Sequence, residues 1–82
     1  MKRVQEFEFR LLRSRSSIAP YLLKAIREGH AVMPLPPGLT NRAAYSKKVQ
    51  VHLLAKRCKI PYRIITRLTD GAVEIEVYEV VR

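Results

Sequence analysis

YRIITRLTDGAVEIEVYEVV, residues Tyr62–Val81, contains two runs of alternating apolar and polar side chains on either side of Asp70-Gly71. Alternation with period two sends successive side chains to opposite faces of a strand, and Asp-Gly is a favoured pair for a two-residue type I′ hairpin turn. Such a turn sets a register. Leu68 then faces Val73, Thr66 faces Ile75 and Ile64 faces Val77 on one side. On the other side Arg67 faces Glu74, Ile65 faces Glu76 and Arg63 faces Tyr78. The first set is almost wholly apolar and the second mostly charged, so turn and pattern select the same pairing. A hairpin over 62–81 with one covered face is the anchor of the fold.

Upstream, VQEFEFRLL also alternates, with Phe7, Phe9 and Leu11 on one face and Glu6, Glu8 and Arg10 on the other. This predicts a further strand over 4–12. A helix is expected over 17–28, with Ser16 or Ser17 taking up a first-turn N–H, Pro20 in the first turn and Gly29 as its stop. Ile18, Leu22, Ala25 and Ile26 form its apolar stripe, with Tyr21 beside them. Residues 30–39 hold Pro34, Pro36, Pro37 and Gly38 and read as a stiff connector, with a brief extended piece at 31–33. Its PLPP also meets the bare PxxP pattern of SH3-type ligands, a pattern common in plain connectors. Thr40 or Asn41 can cap a second helix over 41–58, with Ser46 as an alternative start. Ala44, Val51, Leu54, Ala55 and Cys58 share its inner face, and Tyr45, Val49 and Leu53 are expected to widen that face. Pro61 disfavours helical geometry at Ile60 and ends the helix. The assembly expected is a single α+β domain, β-α-α-β-β: a small three-stranded antiparallel sheet with two helices packed on one face.

At 82 residues the chain has room for one domain, with an expected stability of a few kcal/mol. A single Cys58 excludes an internal disulfide, and with only His30 and His52 it cannot complete a four-ligand zinc site. No metal or other cofactor is expected. No apolar run approaches the roughly 18 residues that span a bilayer, and the N-terminal sequence alternates charge unlike a signal peptide. The expected compartment is a reducing cytoplasm.

The net charge of +9 and pI near 10.3 bear on partners rather than fold. From Gly29 to Thr69 there is no acidic residue and there are eight Lys or Arg. A field of one sign costs stability by self-repulsion, whereas a mixed surface serves solubility equally well, so an anionic partner is implied. Arg42, Lys47, Lys48, Lys56, Arg57 and Lys59 are the candidate phosphate-neutralising groups, Arg63 and Arg67 extend the track along the hairpin, and His52 is a nearby polar side chain able to touch base edges. Contacts of the first kind give affinity and position without sequence readout. Nucleic acid, DNA or RNA, is the expected partner; the alternative is an acidic protein surface, met by an inhibitor or adaptor of a nucleic-acid-processing machine. A solvated basic helix without a partner is the bland reading.

Chemistry is thin. His52 with Arg57 and Tyr45 is a conceivable ribonuclease set, and Cys58 among Lys56, Arg57 and Lys59 a conceivable activated thiol. Its place on the apolar stripe favours Cys58 as a small buried hydrophobe. The acids do not pair as catalytic carboxylates, and a non-enzymatic protein is expected.

A basic helix followed by a hairpin resembles the helix–turn–helix with a wing, although the Pro-rich connector is longer than its usual 3–4-residue turn. The stretch VHLLAKRCKIPYRIITRLTDGAVEIEVYEV (51–80) also resembles small proteins of phages and other mobile elements that end in a basic helix, a short turn, a basic strand and a DG-type hairpin. Where glycine often closes the helix there, this chain has Cys58-Lys59. The resemblance implies an accessory role inside a host cell, either binding nucleic acid or modulating a machine that handles it.

Overall fold

The computed structural model describes residues 6–79, in which α1 (Glu6–Arg13), α2 (Ala19–Glu28), β1 (His30–Pro34), α3 (Asn41–Arg57), β2 (Arg63–Thr69) and β3 (Ala72–Tyr78) follow one another. All the cross-strand pairs expected for the hairpin are present, from Leu68 opposite Val73 to Arg63 opposite Tyr78. The turn differs in kind from the expected type I′: Gly71 takes a positive φ of 80° and Asp70 does not. The two-residue loop is kept, and the Thr69 hydroxyl donates to the Ala72 carbonyl across it at 3.2 Å.

The α+β class and the three-stranded antiparallel sheet are as expected, with strand order β1-β3-β2. The residues that supply the third strand are not those of 4–12. Of that stretch, residues 4 and 5 lie outside the described residues, and 6–12 belong to α1. The alternating EFEF was read with period two, but Phe7 and Leu11 also lie four apart, and these two are buried while Phe9 is 52% exposed. Glu6 and Arg10, again four apart, form an ion pair at 2.9 Å, the spacing and order that support a helix. Acids in the first turn and arginines in the last complement the helix dipole. Phe7 meets Tyr62 edge-on, the ring centroids 5.5 Å apart.

The third strand comes from the start of the presumed connector. In β1, Ala31 and Met33 point inward and His30, Val32 and Pro34 outward, paired antiparallel with β3. Pro34 is tolerated because it ends an edge strand. The rest of the connector folds against the hairpin tip, where the Leu35 N–H donates to the Gly71 carbonyl at 2.8 Å. PLPP is therefore tied into the fold at its first two residues, while Pro36 and Pro37 are exposed.

α2 ends where expected but starts at Ala19, with Ile18 rather than Ser16 or Ser17 as its N-cap and no side-chain cap. The Ser16 hydroxyl accepts the Ile18 N–H just ahead of the helix, and Gly29 closes it at φ 85° with its N–H on the Ala25 carbonyl. α3 is continuous, capped by Thr40, whose hydroxyl accepts the Ala43 N–H at 3.2 Å. Leu11, Ile18, Leu22, Ala25, Val51 and Leu54 from the helices meet Ala31, Met33, Val73 and Ile75 of the sheet in one core. The helices cover one sheet face only, so Arg63, Ile65 and Arg67, with Glu74, Glu76 and Tyr78 opposite them, occupy the other.

Candidate functional site

α3 carries most of the candidate cations, and its rotation of 100° per residue decides where each one points. With Val51, Leu54 and Ala55 buried against the sheet, Lys48 and His52 fall on the flank beside β2. Lys56 turns further out, close to the outward-pointing Arg42. Arg57 falls on the opposite flank, and Lys47, seven residues before Leu54, is half-buried in line with the buried stripe. His52 marks the first flank: its Nε2 lies 2.8 Å from the Thr66 hydroxyl, a buried group on the inner face of β2. The contact ties α3 to the sheet, so one ring nitrogen of His52 is occupied by a structural partner. His52 and Arg57 lie about 140° apart around the helix, so the set of His52, Arg57 and Tyr45 is not gathered at one point.

One expectation for α3 is overturned. Tyr45, Val49 and Leu53 do not widen the buried face; they form an exposed stripe, with Tyr45 and Leu53 each more than half exposed. The angular span of the buried set is narrow because α3 packs over β2 at the sheet edge, leaving the far side of the helix without a neighbour. Lys48 leans over this stripe, its Nζ 5.6 Å from the Tyr45 ring centroid, a cation–π arrangement that leaves the other ring face open.

Arg63 and Arg67 lie on the open face of the sheet, across it from α3, and do not continue the α3 track as expected. They share that face with Glu74 and Glu76, and no ion pair within 4 Å joins them among the described residues. The Tyr78 hydroxyl donates to Glu76 at 2.6 Å, and this bond to a carboxylate pushes the phenol above its usual range.

Lys59 joins the α3 cations through an unusual backbone. It is the one non-glycine residue with positive φ, 56°, among the described residues. Its N–H donates to the Lys56 carbonyl and the Ile60 N–H to the Ala55 carbonyl, a Schellman closure of α3. Glycine takes this position in most such closures, since a side chain there costs roughly 1–2 kcal/mol. Lys59→Gly is expected to raise stability by about 0.5–1 kcal/mol in urea unfolding, the remainder being offset by glycine's extra freedom in the unfolded chain. Any oligonucleotide binding should weaken in the same variant.

The structure adds a group that the sequence reading passed over. Arg10, Arg13 and Arg15 are brought beside Arg57 and Cys58 where α1 and α3 end. The signal is present as three arginines in six residues without an acid. Cys58 is buried, and burial raises its thiol pKa against the opposing pull of Arg10 and Arg57. It sits in the core cluster as a small hydrophobe.

Among the described residues no helix is long and apolar enough to cross a membrane, and no group of three His, Cys, Asp or Glu side chains is placed to hold a metal ion. Compared with known proteins, the chain matches no family model, no curated protein and no solved structure.

Proposed function

We propose that this protein binds nucleic acid through backbone phosphates, using the exposed sides of α3, its closing turn and the adjoining arginine run. The observation that carries the reading is the company these cations keep. Arg42, Lys47, Lys48, Lys56, Arg57 and Lys59 occur on a segment with no acidic residue, and Arg10, Arg13 and Arg15 lie at its C-terminal end. Such an array neutralises phosphates and releases counterions, giving affinity that is strongly salt-dependent and largely indifferent to sequence. The role is that of an accessory protein of phage or mobile-element type, acting in the cytoplasm of the host cell without catalysis of its own.

A salt series tests it. If about six phosphates are covered, log Kd against log salt has a slope magnitude of roughly 4 for single strands and 5 for duplex, steep enough to read between ~50 and ~200 mM. The result that overturns the proposal is no binding of DNA or RNA, single- or double-stranded, at ~50 mM salt. That result favours the second reading, an adaptor or inhibitor docking on an acidic protein surface. The exposed stripe of Tyr45, Val49 and Leu53 supports this alternative, since an apolar strip rimmed by cations suits a protein better than a phosphate backbone.

A further inference from the structure

The C-terminal ends of α1 and α3 enclose an open cleft of about 380 Å³ with Arg10, Arg13, Arg15 and Arg57 on its walls and Leu54 and Cys58 beneath. That volume lies within the range of small-molecule sites. Cations near two helix C-termini have a structural use, because each end carries roughly half a negative charge. Four guanidinium groups exceed that need. The last carbonyls of α3 are also already taken: Leu54 by the Cys58 N–H, Ala55 by Ile60 and Lys56 by Lys59, while Leu11 of α1 accepts from Ser14. Arg10 spends part of its fork on Glu6. Arg13, Arg15 and Arg57 make no side-chain hydrogen bond or ion pair among the described residues, and no carboxylate lines the cleft among them.

We propose that this cleft binds a nucleoside monophosphate unit. The phosphate monoester lies among the forks of Arg13, Arg15 and Arg57, which offer more paired N–H donors than one carboxylate can use and suit three phosphate oxygens. Leu54 and Cys58, nearly fully buried, close the bottom of the cleft, and the arginine stems supply apolar surface that a base can cover, with a guanidinium plane stacking on its face. The unit arrives either as a free mononucleotide or as the phosphorylated end of a strand. The site shares Arg57 and the arginine run with the surface proposed above, but not the outer side of α3, and it does not depend on phosphate contacts there.

The test is an NMR titration of the full chain with AMP, adenosine and inorganic phosphate, read at the Leu54 methyls and the Arg57 and Cys58 amides. It is paired with binding of 5′-phosphorylated and 5′-hydroxyl oligonucleotides. AMP is expected to shift these signals saturably with a Kd of ~1 mM or tighter, adenosine to leave them unmoved, and Arg13→Gln/Arg15→Gln to weaken AMP at least tenfold. Both arginines are exposed, so this variant should keep the folded spectrum. At least a fivefold preference for the 5′-phosphorylated strand identifies a strand end as the source; AMP binding without that preference identifies a free mononucleotide. Inorganic phosphate binding as tightly as AMP overturns the nucleoside assignment, and no response at Leu54 to AMP or to the phosphorylated strand overturns the site. Salt-dependent binding of 5′-hydroxyl strands can persist in that last case, so the two proposals fail separately.

Discussion

Arg42→Glu/Lys48→Glu/Lys56→Glu is expected to lower oligonucleotide affinity by at least about a hundredfold at low salt and to flatten the salt dependence by about three phosphate contacts. The three side chains lie on the outer and β2-facing sides of α3 and line no part of the arginine cleft. A loss here therefore reports on the helix surface alone. Folding should be retained, since none of the three is buried and the Lys48 contact with Tyr45 is worth only about 0.5–1 kcal/mol. The control is Arg63→Glu/Arg67→Glu. If contacts run along α3, this pair on the far face of the sheet changes affinity by less than about threefold, the scale of a distant screened charge. Equal losses in both variants would place the binding surface on the sheet edge rather than on α3, and no loss in either would remove the outer side of α3 from the binding surface.

The second large effect concerns α1. Phe7→Ala should cost about 3 kcal/mol or more, because it empties a buried site and removes the edge-on contact with Tyr62. In a domain of this size that is most of the total stability, so the variant should be largely unfolded at 37 °C. Phe9→Ala should stay within about 0.5 kcal/mol of the parent, since Phe9 is 52% exposed and alanine is the better helix former. In a strand over 4–12 the two phenylalanines share one buried face and lose alike. Chemical unfolding of the two variants thus separates helix from strand at a single pair of positions; comparable losses would restore the strand.

What was legible depended on how many local signals agreed. The hairpin has a turn dipeptide, two alternating runs and opposite-sign charges that all select one register, and that register is present. The glycine stop of α2 and the hydroxyl cap of α3 were readable for a similar reason, each standing where the backbone groups need it. EFEFRLL satisfied two periods at once, 7/9/11 for a strand and 7/11 for a helix. A stretch of seven residues is too short for periodicity to separate them. HAVMP is legible only as a brief extended piece at 31–33, because a proline at its end marks a connector by composition, while its pairing as a strand comes from a neighbour.

Charge and its sign along the chain were determined by sequence alone, together with the register of β2 and β3, the stop of α2, the ends of α3, and the exclusion of a disulfide. These depend on residues within a few positions of each other or on simple counts. The tertiary structure alone decided which cations share a surface. It placed Arg63 and Arg67 on the far side of the sheet from α3, turned Tyr45, Val49 and Leu53 to solvent, and brought Arg10, Arg13 and Arg15 to Arg57 from more than forty positions away. Each of these follows from which element packs over which, and packing is set by the whole core at once rather than by any local run of residues.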